Sequence, residues 1–228
     1  MNKRDTQISK SMSYLLRHAA LKEQLPIDSN GYVPLPVLLA HNRLKTHKCT
    51  VEDIHRVVDY NEKKRFHLKD SPSGELICAT QGHSIRSVAP GEEVLHEITA
   101  LKELPPKLIH GTTIRKALLI LETGAIKRLS RNHVHLSPGI TGVDATVVSG
   151  MRSTSSVHIY IKRDQHLLDQ LHVYKSLNEV YLVPVDVPSS FFEKVTIRLT
   201  EKHQKAREDI DKLFNLLDGH RIPYEMLS

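Results

Sequence analysis

The stretch from about Ala89 to Lys107 constrains this chain more than any other. Pro90-Gly91, the Glu92-Glu93 pair and Pro105-Pro106 interrupt helical and strand periodicity alike. The chain therefore reads as two lobes, residues 1–92 and 108–228, joined by a linker over 93–107. A total of 228 residues allows two small domains against the usual size of about 150 residues each.

In the first lobe, Ser9 is placed to cap a helix whose apolar Met12, Leu15 and Leu16 recur at helical spacing. Asp28-Ser29-Asn30-Gly31 has turn chemistry, because Asn and Gly accept positive φ. A short helix is expected after Pro34, within residues 33–39. Thr50 caps a further helix from Val51, with Asp53 at the position that completes a capping box. Phe66 and Leu68 alternate with Arg65 and His67 as in a half-buried strand. Three short helices followed by strands suggest a winged-helix-like lobe.

The second lobe is richer in strands. Leu108-Ile109-His110 is a short apolar run, after which Thr112 or Thr113 caps a helix through Leu121 that Gly124 stops. Val134 with Leu136, and Val157 with Ile159 and Ile161, alternate with polar neighbours. Two more strands are expected over 180–185 and 195–199, and a final helix over 201–217. Strands and helices do not alternate regularly, so the fold class is α+β rather than a doubly wound sheet.

Composition narrows the function. With 39% hydrophobic and 25% charged residues, the chain is globular and neither fibrous nor wholly disordered. No apolar run approaches the roughly 18 residues of a membrane span, and residues 1–7 lack the apolar stretch of a secretory signal. Cys49 and Cys78 make no disulfide framework. A soluble protein of a reducing compartment, cytosol or nucleus, is expected. Thirty-two Lys and Arg against 26 Asp and Glu give +6, which favours an anionic partner such as nucleic acid or a phosphorylated small molecule. Four Phe, seven Tyr and no Trp argue against an aromatic platform for stacked bases.

No P-loop, GxGxxG fingerprint or HExxH helix is present. Arg17-His18 instead places a guanidinium beside an imidazole near the end of the first helix. Arg suits phosphate because its planar fork donates two parallel bonds, although cations are also favoured at any helix C-terminus. Arg65 begins a basic strand after Lys63-Lys64, a pattern shared with solvated charge runs. Gln81-Gly82-His83-Ser84 is short and polar, as a ligand loop or a plain turn would be. His110-Gly111-Thr112 ends a buried strand and opens a helix, where Gly permits close backbone approach and amides face an anion or ribose. The polar run from Ser130 to Gly139 carries Arg131, His133, His135 and Ser137. His133 and His135 share a strand face at a zinc-compatible spacing, but no third ligand has a clear partner and no metal is expected. Arg152 follows Ser149-Gly150-Met151. Arg17, His18, Arg65 and Arg152 together would suit a multiply charged phosphate.

Taken in order, these segments resemble the RNA 2′-phosphotransferase family, and its fungal tRNA-splicing branch above all through the stretch from His41 to Thr50. The resemblance runs from Ser9 to about Phe192. It implies an N-terminal winged-helix-like RNA lobe and a C-terminal ADP-ribosyltransferase-like lobe that holds NAD. It places the family's essential Arg-His-Arg-Arg quartet on Arg17, His18, Arg65 and Arg152. NAD contacts fall on His110, Gly111, Thr112, His135, Ser137 and Gly139. RNA or phosphate contacts fall on Lys45, Lys48, Lys63, Lys64, Gln81, Gly82, His83, Ser84 and Arg131. The third signature position, Glu in most ADP-ribosyltransferases, is apolar in this family and falls on Val180, beside Glu179. Many relatives carry Arg where this chain has Cys78.

The implied activity is NAD-dependent removal of a splice-junction 2′-phosphate from ligated tRNA. The 2′-phosphate first displaces nicotinamide, giving 2′-phospho-ADP-ribosylated RNA. A ribose hydroxyl then attacks the phosphate, releasing RNA with a 2′-hydroxyl and ADP-ribose 1″,2″-cyclic phosphate. The expected partners are tRNA bearing an internal 2′-phosphate and NAD, with no membrane and no obligate protein partner. Alternatives are a nucleic-acid-binding protein with an inactive NAD lobe, and an ADP-ribosylating enzyme that stops after the first step.

Overall fold

A computed structural model describes residues 1–145, 147, 149–200 and 207–227 of the chain. It is a mixed α+β protein with several sheets and seven α-helices among the described residues. Two compact units emerge. The first takes Met1–His96 with Ser130–Asn132 and Ser176–Asn178, and the second takes Glu97–Leu129, His133–Lys175 and Glu179–Ser228. Two three-residue segments from far along the chain thus belong to the first unit, which no linear division of the sequence conveys.

The first unit opens with α1 (Lys3–Tyr14), which starts earlier than its expected Ser9 cap. Asn2 is the cap, its Oδ1 accepting from the Asp5 N–H at 2.8 Å. Asn caps as well as Ser does, and Ile8 extends the apolar face toward the terminus. Ser9 lies buried inside the helix, where its hydroxyl accepts from Asn61 Nδ2 at 3.2 Å. Beyond Tyr14 the helix widens into a π turn over Leu15–Ala19, the segment that carries Arg17 and His18. Single π turns interrupting α-helices occur disproportionately at functional sites.

The chain continues through β1 (Val33–Pro34), α2 (Leu35–Leu39), α3 (Asn42–Lys45), α4 (Val51–Asp59), β2 (Phe66–Lys69) and β3 (Leu76–Ala79). The sheet order is β1-β3-β2, antiparallel throughout, with Val33 opposite Ile77 and Phe66 opposite Ala79. Ile8, Met12, Leu15, Leu16, Ile54 and Phe66 bring the helices and the sheet to one core. The Thr50–Asp53 capping box of α4 forms as the sequence indicates. Asp53 does more than cap: it accepts from Arg4 Nη1 at 2.8 Å and from Arg56 Nη2 at 2.5 Å, while Arg56 also reaches Asp5 at 2.7 Å. Both carboxyl groups are buried and held below the usual carboxylate range, chiefly by these arginine hydrogen bonds.

β4 (Leu95–Ile98) and a 3₁₀ turn over Leu101–Glu103 lie in the stretch of breakers. The second unit then runs β5 (Ile109–Thr112), α5 (Ile114–Thr123), β6 (Ala125–Ile126), β7 (Val134–Leu136), β8 (Val157–Ile161), α6 (Gln165–Leu171), β9 (Val173–Ser176), β10 (Tyr181–Val183), β11 (Val187–Pro188), β12 (Phe192–Ile197), α7 (Arg207–Gly219) and β13 (Tyr224–Met226). The remaining sheets have orders β13-β12-β8-β5 and β4-β9-β10-β7, with a small β11-β6 pair. Gly124 stops α5 in the left-handed region at φ +71°, as a C-cap glycine should. The final helix was expected over 201–217; its part over 201–206 lies outside the described residues. Ile109 and Ser137 exchange backbone bonds of 2.9 and 2.8 Å, which ties β5 to the end of β7. No helix among the described residues is long and apolar enough to cross a membrane.

The Asp53 pairing makes the first unit sensitive to acid. A depressed carboxyl contributes stability that is present above its unfolded pKa, about 3.9, and is lost as pH falls toward the folded value. Asp53→Asn should lower unfolding stability at pH 7 by about 1–2 kcal/mol, because the charge that Arg4 and Arg56 pair with is removed. The gap between variant and parent should shrink below about pH 4. Urea denaturation across pH 3–7 checks this; a gap that is constant over the whole range contradicts it.

Candidate active site

Arg17 sits in the π turn, a position where its side chain is mostly enclosed. Its Nε and Nη2 atoms are shielded from solvent and have no hydrogen-bond partner among the described residues. Burial, together with the neighbouring Arg65 and Arg131 guanidinium groups, pushes it down to about 10. A shielded cation among cations is unfavourable unless an anion completes the group. A guanidinium fork of this kind matches a multiply charged oxyanion in geometry and charge.

The groups around it are held deliberately. Gly82 has φ +91°, and a Cβ there would lie 3.5 Å from Arg17 Cδ and Nε, so the loop backbone passes directly over the guanidinium stem. Ser84 N–H donates to the Arg17 carbonyl at 2.9 Å, and Ser84 Oγ lies 2.9 Å from His18 Nδ1. Burial first, then Arg17 and Arg131, hold His18 below the usual imidazole range, so its ring is neutral at neutral pH.

Arg65 follows a tight turn in which Lys64, at φ +39°, donates its N–H to the Asn61 carbonyl at 2.7 Å. Buried Asn61 accepts on Oδ1 from Arg65 Nη1 at 3.1 Å and from Lys63 N–H at 3.1 Å, and donates to Ser9. Asn178 Nδ2 donates to the Lys63 carbonyl at 2.9 Å. Asn61 and Asn178 escaped sequence reasoning because an Asn in a loop carries no signal that its amide is buried and saturated.

Arg17, His18, Arg65 and Arg131 therefore share the first unit with Gln81, Gly82, His83 and Ser84. Lys45, Lys48 and Lys64 are exposed on the same unit and Lys63 is half-buried. Buried Cys78 faces Tyr32 and is pushed up to about 12, so it stays a neutral thiol. Arg152 lies in the second unit, exposed, immediately after Met151.

The other expected residues gather in the second unit. His110 and Gly111 are partly buried on β5, with buried Thr112. His110 Nδ1 lies 3.1 Å from the His135 carbonyl, and His135 Nδ1 lies 3.1 Å from the His133 carbonyl. Ser137 is fully buried, and its Oγ donates to the Ser149 carbonyl at 3.5 Å. The space over Gly111 is filled by the Met151 side chain, and a Cβ at Gly139 would strike the Asp144 carboxylate at 2.7 Å. These two glycines are thus required by the protein's own packing. Val180 is buried, its Cγ2 3.3 Å from where a Gly150 Cβ would stand, whereas exposed Glu179 pairs with Lys175 at 2.9 Å. His133 is driven down to about 4, mainly by burial. Among the described residues no group of three or more His, Cys, Asp or Glu is placed to hold a metal ion.

The uncompensated charge at Arg17 gives a direct test. Arg17→Met should fold at least as stably as the parent, because it removes a shielded cation that lies beside two others. Inorganic phosphate should raise the melting temperature of the parent, by binding only the folded state, and should not raise that of Arg17→Met. Equal phosphate stabilisation of both proteins contradicts an anion site at Arg17.

Residues 3–185 match the RNA 2′-phosphotransferase, Tpt1 / KptA family. The chain is 51% identical over 228 residues to the tRNA 2′-phosphotransferase of Saccharomyces cerevisiae, covering 99% of this chain and 97% of that protein. It is 39% identical over 206 residues to tRNA 2′-phosphotransferase 1 of Homo sapiens, covering 87% and 79%. A probable RNA 2′-phosphotransferase of Bacillus thuringiensis is 29% identical over 195 residues, covering 84% and 97%. Motif order, family match and full-length relatives agree, and the chain belongs to the RNA 2′-phosphotransferase family of enzymes.

Proposed function

We propose that this protein removes the splice-junction 2′-phosphate from ligated tRNA with NAD as co-substrate. The observation that carries the reading is the shielded, unpartnered Arg17 guanidinium among Arg65 and Arg131. A 2′-phosphate monoester brings close to two negative charges and three acceptor oxygens to such a group. On this reading the first unit, with its helices and β1-β3-β2 sheet, is a winged-helix-like RNA module, and the second is an ADP-ribosyltransferase-like NAD module.

The protein's own contribution is electrostatic. The arginines hold the phosphate and offset its charge while one of its oxygens attacks, and they hold the charge that later builds on phosphorus. The nucleophile is already an anion, so no general base is needed to create it. That accounts for a site in which Glu179 points to Lys175 and its neighbour Val180 is apolar. His18, neutral and set by Ser84, is the group suited to exchange a proton with a phosphate oxygen.

NAD, when bound, supplies the ribose carbon that accepts the phosphate and a nicotinamide leaving group. The donor set of the second unit fits it: His110, Thr112, His135 and Ser137 carry imidazole and hydroxyl groups suited to ribose hydroxyls and amide. The rings of His110 and His135 are oriented by backbone carbonyls. Arg152 keeps its place in the quartet on the resemblance. Arg131 is a fourth first-unit group whose nearness to Arg17 and His18 supports a direct role.

Incubation of a 2′-phosphorylated RNA with NAD should yield 2′-hydroxyl RNA, nicotinamide and ADP-ribose 1″,2″-cyclic phosphate. Arg17→Ala, Arg65→Ala and Arg131→Ala should each lose roughly hundredfold or more in turnover, as removal of one charge-stabilising donor typically does. Near-normal turnover in any two of them refutes the clamp. The same loss in Arg152→Ala keeps that residue in the quartet, and near-normal turnover leaves the clamp to the first unit. RNA affinity should also fall steeply with salt, because Lys45, Lys48, Lys63 and Lys64 would release counterions from the backbone. Salt-independent affinity rules out that surface as the RNA platform.

A further inference from the structure

Residues 130–132 join the first unit although the chain on both sides belongs to the second. Asn132 does the joining. Its backbone N–H donates to the His83 carbonyl at 2.9 Å. Its Nδ2 donates to the Ile85 carbonyl at 2.9 Å and to the Val88 carbonyl at 3.0 Å. Both side-chain N–H groups are thereby used, on acceptors from a single loop. That loop also carries Ser84, bonded to His18, and Gly82, which passes over Arg17. One loop therefore fixes the π-turn pair on one side and the segment bearing Arg131 on the other.

The anchoring answers an electrostatic difficulty. Arg65 and Arg131 act on Arg17 as like charges before any phosphate arrives, and both disfavour its protonated form. An exposed Arg131 on an untethered segment would move into solvent. Three bonds from the residue next to it oppose that movement and leave the backbone of Arg131 in place.

We infer that Asn132 is a positioning residue: it docks residues 130–132 on the 82–88 loop so that Arg131 stands beside Arg17 and His18 when the phosphate binds. The inference rests on the phosphate reading given above. It predicts that the amide of Asn132 matters to catalysis only through Arg131.

The test compares Asn132→Ala, Arg131→Ala and the double variant in the full chain. Each is assayed with 2′-phosphorylated RNA and NAD, and its His18 ring is titrated by NMR. Asn132→Ala should lower kcat/KM for the RNA by roughly tenfold and leave KM for NAD unchanged. Ser84 faces His18 as a neutral group, and Arg17 and Arg131 as the cations that depress it. The His18 pKa should therefore rise in Asn132→Ala and in Arg131→Ala, and no further in the double variant. If Asn132→Ala fails to fold, Asn132→Ser, which keeps one side-chain donor, carries the same readouts with a smaller loss. An inactive Arg131→Ala beside a fully active Asn132→Ala with parental His18 titration overturns the inference alone. Full activity in Arg131→Ala overturns the inference and leaves the phosphate clamp to Arg17 and Arg65, whose own variants test that reading.

Discussion

One guanidinium sets the terms for the first unit. Arg17 has two nitrogens without partners in a shielded place, and its nearest charged neighbours are cations. Folding alone does not reward that arrangement, since a buried unpaired donor costs about 1–3 kcal/mol and more when charged. The surroundings nonetheless enforce it. The π turn presents Arg17 and His18 together, Gly82 closes over the stem, and Ser84 bonds to both residues. On the proposed reading, a phosphate recovers on binding the stability that is given up here.

The offsetting stability lies in the same unit. Asp5 and Asp53 form three ion pairs with Arg4 and Arg56, a network in which buried carboxylates are matched by arginines that reach solvent. It ties α1 to α4. The contrast between the two clusters is the chemical point: Arg4 and Arg56 are satisfied by carboxylates, whereas two nitrogens of Arg17 have no partner among the described residues. Among the described residues, no carboxylate perturbs Arg17, Arg65 or His18.

Much of this was legible in the sequence, and the reasons for the exceptions are physical. Thr50 with Asp53 and Gly124 after α5 are local signals whose consequences are local, and both formed. Arg17, His18 and Arg65 stood out as cations beside apolar positions. The start of α1 was misplaced because Ser9, a good cap by type, is instead a buried acceptor for Asn61. The π turn has no sequence signature, because Leu15 and Leu16 suit an α-helix equally well. Long-range docking was the main loss. Asn61, Asn132 and Asn178 work through carbonyls and side chains distant in sequence, and an amide in a loop looks the same whether solvated or saturated. Arg131 consequently ranked among RNA contacts, although the fold sets it beside the π-turn pair.

The central claim is that a 2′-phosphate completes the coordination of Arg17. The Arg17 Nε–H signal in a 1H–15N NMR spectrum reports on that bond directly. A short RNA bearing an internal 2′-phosphate should shift this signal strongly downfield, as a charge-assisted bond forms, while the matched 2′-hydroxyl RNA leaves it in place. An Arg17 signal that responds identically to both RNAs would contradict the account.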